Sequence, residues 1–134
     1  MTFLAKHISV SINKPVKDVY AFASDPVNLP KWAAGLSGSI SKEGEDWIAD
    51  SPMGKVSVKF ADKNNLGVLD HVVTLPSGKQ VYNPLRVVAN DNGSEVTFTL
   101  FRLPETSEQN FREDAQMVDR DLKKLKELLE QKVH

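Results

Sequence analysis

The chain of 134 residues contains no cysteine. That excludes disulfides, thiolate metal sites and a cysteine nucleophile, and it fits a reducing cytosol. It also lacks a charge excess, with 17 Lys and Arg against 18 Asp and Glu. A balance of this kind favours neither nucleic acid nor an anionic membrane surface. No apolar run approaches the length of a membrane span. The opening "MTFLAKHISVSI" alternates instead of running apolar, so no signal peptide is expected. Histidine is scarce: His7, His71 and His134 are too scattered to suggest a metal site, and His134, as the last residue, is expected to be loosely held. Metalloprotease, P-loop, dinucleotide-binding and nucleophile-elbow motifs are all missing, as is a basic-aromatic stripe for RNA. No cofactor and no metal are expected. The length suits one domain over 1–134 with a core of its own, cytoplasmic, as a monomer or homodimer.

What remains is strong patterning. Residues 3–12 alternate, with Ile8, Val10 and Ile12 on one face and His7, Ser9 and Ser11 on the other, which predicts a half-buried strand. Pro15 suits a first helical turn, and Val16, Val19, Tyr20 and Ala23 then recur at helical spacing. "DPVNLPKWAAGL" reads as a second short helix, punctuated by Pro26 and Pro30 and stopped by Gly35. From about 37 to 103 the pattern is β: a hairpin turning near Glu43-Gly44-Glu45, then "GKVSVKFAD", "GVLDHVVTL", "QVYNPLRVVAN" and "EVTFTLFRL", joined by tight turns at "SGK" and "DNGS". The "NGS" at 92–94 matches a glycosylation sequon but is better read as that turn. The final stretch is helical. Thr106 or Ser107 can cap it, and Phe111, Ala115, Val118, Leu122, Leu125 and Leu129 form one apolar stripe. Asp119–Lys123 and Lys126–Glu130 are ordinary surface pairs at helical spacing. One long amphipathic helix must bury its stripe on a face of the sheet, and a twisted antiparallel sheet around it leaves a space between them.

The opening "ISVSINKPVKDVYAFASDPVNLPKWAAGL" resembles that of the START-like, or SRPBCC, superfamily, whose members begin with a strand and a helix pair of the form P-x-x-x-V-[WY]-x-x-[FL]-x-D-P-x-x-x-x-x-W. Pro15, Val19, Tyr20, Asp25, Pro26 and Trp32 fill that pattern. The meander and the terminal helix match as well, so the resemblance covers nearly the whole chain. It is nearest to the bacterial polyketide cyclase/dehydrase branch. The resemblance implies an α+β helix-grip fold: a seven-stranded antiparallel sheet wrapped around a long C-terminal helix, with two short helices between strands 1 and 2. It implies a cavity between sheet and helix. Lipid carriers, hormone-binding proteins, cyclases and co-chaperone-like proteins share the fold, so it does not imply cyclase activity.

The sequence places Asp70 and His71 side by side in a strand. Neighbours in a strand point to opposite faces, so the two cannot form a dyad. His71 shares parity with Leu69, Val73 and Leu75, the more apolar set, and is expected on the concave side. Asp70 is expected outside, as a surface partner of a Lys or Arg. An inward His71 is either a neutral core histidine or a polar anchor in an apolar pocket. The same parity puts Asn83 inward and Tyr82 and Arg86 outward. Pro84 cannot donate to a ladder, and a bulge there would instead turn Arg86 inward. Arg102 ends the apolar row of Val96, Phe98 and Leu100. It suits either a cavity mouth facing an anionic group or an ion pair with Glu105 or Glu108. Trp32 and Trp47 can wall a pocket or simply pack.

Three functions follow from these residues. The first is binding of a small hydrophobic molecule, lipid- or polyketide-like, between sheet and terminal helix, by Trp32, Trp47, Phe60, His71, Asn83, Phe98, Arg102, Phe111 and Val118. The second is an enzyme of the cyclase, dehydratase or hydrolase type, with His71 as the candidate general acid or base. The third is an interaction protein whose sheet–helix space is filled. With no nucleophile and no cofactor motif, binding ranks first.

Overall fold

The computed structural model describes residues 1–36 and 39–131, so the expectation for His134 lies outside the described residues. The chain opens with strand β1 (Ala5–Ile12), which buries Ile8 and Ile12 as its alternation requires. Pro15 caps helix α1 (Val16–Ala23), which buries Val19 and Ala23. The second helical stretch is in pieces: a 3₁₀ turn opened by Pro26 (Pro26–Asn28), helix α2 (Leu29–Trp32) with Pro30 in its first turn, and, after an extended Ala33, a second 3₁₀ turn (Ala34–Leu36) that contains Gly35. The Asp25 carboxylate accepts from the Val27 N–H at 3.1 Å and starts the first of these. Strands β2 (Ile40–Glu43), β3 (Asp46–Ser51), β4 (Gly54–Phe60), β5 (His71–Thr74), β6 (Gln80–Asn83), β7 (Leu85–Asn90) and β8 (Gly93–Phe101) follow, then helix α3 (Glu108–Glu130). No described helix is long and apolar enough to cross a membrane.

The strands do not make the expected seven-stranded sheet. They form two antiparallel sheets, one of three strands in the order β1-β8-β7 and one of five in the order β2-β3-β4-β5-β6. The cause is local. "QVYNPLRVVAN" reads as one strand, but Pro84 has no N–H to place in a ladder, and the chain changes partners there. Before it, Asn83 lies opposite His71; after it, Leu85 lies opposite Phe98. "GVLDHVVTL" divides in the same way. Gly67 to Leu69 run beside β7, through Val87 N–H to Gly67 carbonyl (2.9 Å) and Leu69 N–H to Leu85 carbonyl (2.8 Å), and only from His71 does the chain join β4 and β6. A seam thus runs between the sheets at Asp70 and Pro84.

The concave face is set by the cross-strand rows. Trp47, Val58, Val73 and Val81 form one row, and Phe60, His71 and Asn83 the next. Ile8, Phe98 and Leu85 form a row on the smaller sheet. Helix α3 starts at Ser107, whose hydroxyl accepts from the Asn110 N–H at 3.1 Å. It buries Phe111, Ala115, Leu122, Leu125 and Leu129, while Val118 is half-buried. The Asp119–Lys123 and Lys126–Glu130 pairs form at 2.8 Å each.

Asp121 ties α3 to the second 3₁₀ turn by accepting from the Ala34 N–H at 3.1 Å. Desolvation pushes its carboxyl up to about 6, against the Ala34 hydrogen bond and nearby Arg120, which act the other way. The folded state therefore holds an extra proton between the ordinary value of 3.8 and about 6, and stability falls as pH rises through that window. Asp121→Asn keeps an acceptor for Ala34 without the buried charge. It is expected to stabilise the protein at pH 7 by about 1 kcal/mol, after discounting for partial exposure. The gain should vanish below about pH 4, which thermal melts at pH 4 and pH 7 will show.

Candidate functional site

The parity of β5 delivers what the sequence predicts for its paired acid and imidazole. His71 is buried beside the buried Leu69, and Asp70 points to the opposite face. The His71 Nδ1 lies 3.1 Å from the Leu69 carbonyl oxygen. A carbonyl can only accept, so Nδ1 carries the proton and Nε2 keeps a lone pair. Burial pushes the imidazole pKa down, outweighing the Leu69 hydrogen bond and Asp70, so the ring is neutral. Its centroid lies 5.1 Å from that of Phe60 and 6.4 Å from that of Phe98, with Asn83 opposite in β6. Among the described residues, nothing bonds Nε2.

Asp70 is more than a surface ion partner. Its carboxylate takes a two-pronged bond from Arg86, at 2.8 Å from Nε and 2.7 Å from Nη2, and further bonds from the Tyr82 hydroxyl (3.1 Å) and the Leu85 N–H (2.9 Å). Leu85 follows Pro84 at the seam, so this carboxylate satisfies a backbone donor exactly where the strand changes sheets. Arg86, foremost, holds the Asp70 carboxyl below its ordinary range. Arg86 itself points out, between buried Leu85 and Val87, so Pro84 divides the strand without reversing its faces.

Beside the Phe60–His71 pair opens a cleft of about 560 Å³ between α1, β3, β4 and the segment 61–69. Trp47, Val58, Phe60 and Leu69 form its apolar wall, and Tyr20, Ser24 and Pro26 the opposite side. Tyr20 and Ser24, the residue just past the end of α1, are four apart, so both fall on the same side of that helix. The Tyr20 oxygen accepts from the Asn64 N–H at 3.0 Å and retains its own proton. The Ser24 hydroxyl is buried without a partner. Charge at the rim is balanced, with Lys42, Lys59 and Lys63 against Glu45, Asp46 and Asp62.

Of the ligand-binding residues expected from sequence, Trp47 and Phe60 line this cleft. His71, Asn83 and Phe98 lie in the rows beyond Phe60. Trp32 is buried in the core with its indole N–H unpartnered. Phe111 is buried at the start of α3 and Val118 half-buried further along it, both away from the cleft. Arg102 forms neither expected ion pair: its Nε donates to the Thr106 carbonyl at 2.9 Å, while Glu105 pairs with Lys79 and Glu108 with Arg112. Carbonyls in the turn before α3 lie nearer to hand than either acid. Tyr20 and Ser24 were not expected here. Their spacing is visible in the sequence, but α1 shows no sign there of which strands it faces. Among the described residues, no three His, Asp or Glu side chains gather as metal ligands would.

No protein-family model and no curated protein matches the chain. Solved structures do. A conserved protein from Geobacillus kaustophilus superposes with a TM-score of 0.75 at 17% identity, covering 98% of both chains. DynU16, from the dynemicin biosynthetic locus, gives 0.72 at 15% identity over 94% of this chain, which spans only 47% of that one. Ara h 8.0201 gives 0.65 at 14% identity, over 96% of this chain and 98% of the other. At such identities the likeness is one of fold. The strand, broken helix pair, antiparallel meander and long terminal helix give this chain the helix-grip fold of START-like proteins.

Proposed function

We propose that the protein binds a small, largely apolar, uncharged molecule carrying one hydroxyl or carbonyl, in the cleft between α1 and β3–β4. The observation that carries this reading is the Ser24 hydroxyl: buried and without a partner, in a residue that lines the cleft across from its apolar wall. A buried hydroxyl left unsatisfied costs about 1–3 kcal/mol, and a ligand oxygen would recover it. Trp47, Phe60, Val58 and Leu69 supply apolar area for affinity, and Tyr20 and Ser24 supply orientation, the usual division of labour in a ligand pocket. The balanced rim asks for no ligand charge. The site uses the concave side expected from the resemblance, but it opens beside α1 and not beneath α3.

Catalysis has no comparable support. His71 lacks a carboxylate on either nitrogen, and Asp70 is occupied on the other face.

Calorimetric titration with 2-naphthol and naphthalene tests the proposal, since the two differ by one hydroxyl. The naphthol should bind more tightly, and Ser24→Ala should erase most of that difference, about five- to tenfold. The same variant should stabilise the unliganded protein by about 1 kcal/mol, because it deletes an unsatisfied buried group. Equal binding of both compounds, or a Ser24→Ala protein that still tells them apart, removes Ser24 from the site.

A further inference from the structure

Strand β1 is an edge of the three-stranded sheet, and its hydrogen-bonding parity is readable. Leu4 offers its carbonyl to the Arg102 N–H, on the β8 side. Ser11 offers its carbonyl to Lys126 Nζ (2.6 Å), and the Asn13 N–H goes to Glu130 (2.7 Å), both on the α3 side. The β1–β8 register runs unbroken through eight pairs. Even-numbered residues therefore bond β8, and the N–H and C=O groups of the odd-numbered residues face the open edge. Helix α3 occupies that edge at Ser11 and Asn13. Four residues earlier it does not. There, Lys6 to Ser9 line a groove of about 670 Å³ whose far wall is Arg112, Gln116 and Arg120 on successive turns of α3. Ala115, small on an otherwise bulky stripe, and Ile8 form its floor.

We infer that this groove takes an extended acidic segment of a partner protein, added as a strand beside His7–Ser9. The backbone groups of His7 and Ser9 supply the ladder, as in other cases of strand addition to a sheet edge. Charge selects the occupant. Lys6 and Arg120 take part in no ion pair among the described residues, and Arg112 has only an exposed pair with Glu108. Against these, the groove holds one acid, Asp119, already bonded to Lys123. Alternate side chains of an added strand face α3, so acids are wanted at every second position. A second copy of this chain is disfavoured: antiparallel β1–β1 pairing would bring Lys6, Arg112 and Arg120 of both copies together.

Fluorescence anisotropy with a labelled octapeptide of alternating Glu and Val tests this. Saturable binding is expected, at least tenfold tighter than for the Lys-Val counterpart or for a block-sequence Glu₄Val₄ peptide. Arg112→Ala/Arg120→Ala, at exposed positions, should weaken it at least tenfold. Ser9→Pro removes an edge N–H and the exposed hydroxyl contact to Thr97 but no backbone bond to β8, and should weaken it similarly. Should Ser9→Pro fail to fold, amide shifts of His7 and Ser9 in the unaltered protein replace it, and they should move on titration. The inference is overturned by absent binding, by equal binding of the block peptide, by static His7 and Ser9 amides, or by a dimer in sedimentation that Arg120→Glu strengthens.

Discussion

Gly67→Ala is expected to destabilise the protein by about 3–5 kcal/mol. Two causes combine. Gly67 has φ of 74°, in the left-handed region that an L side chain enters at a cost of about 1 kcal/mol. A Cβ built there would also overlap the Val87 carbonyl oxygen, a backbone atom of β7 that cannot swing aside. Relief requires segment 67–69 to withdraw from β7, which breaks the Val87 N–H to Gly67 and Leu69 N–H to Leu85 bonds. The same segment carries Leu69, which walls the cleft, so ligand binding should weaken along with stability. Urea unfolding of the two proteins measures the first effect. A loss below about 1 kcal/mol would show that the segment has room to move.

Asp70→Ala should cost about 2–4 kcal/mol. The Leu85 N–H loses its acceptor at the seam, where no strand stands ready to replace it, and a half-buried unpaired donor costs about 1–3 kcal/mol. The Arg86 pair contributes less than its geometry suggests, because the arginine side chain is 53% exposed and screened by solvent, against 14% for Asp70. Asp70→Asn keeps an oxygen for Leu85 but not the ion pair, and should cost about half as much. The carboxyl is held below its ordinary 3.8 in the folded protein, so its contribution is complete above that value. It is lost as pH falls through the depressed folded value. The gap between wild type and Asp70→Ala should therefore be constant from pH 5 to 8 and close below about pH 4. A gap that widened in acid would mean that Asp70 is protonated in the native state.

Much of this molecule is legible in consecutive residues. Period two in β1 and β4, period 3.6 in α3, a cap at Thr106 or Ser107 and a turn near Gly44 all follow from local steric and hydrogen-bonding rules; Ser107 makes the cap, and β1 begins two residues later than the alternation does. The same alternation is enough to send His71 inward and Asp70 outward. What local rules cannot supply is partnership. Pro84 announces a break in a ladder, but not that the chain will cross to a second sheet, nor that the donor just beyond it will be met by a carboxylate fifteen residues earlier. Arg102 settles on a turn carbonyl because the turn before α3 brings it closer than either acid. Tyr20 and Ser24 stand one turn apart in the sequence, yet they come to line one cleft with Trp47 and Phe60 only when α1 packs on β7 and β8. Secondary structure here is decided by neighbours along the chain. The seam, the cleft and the open edge of β1 are decided by which distant surfaces must be buried together, and that belongs to the tertiary structure alone.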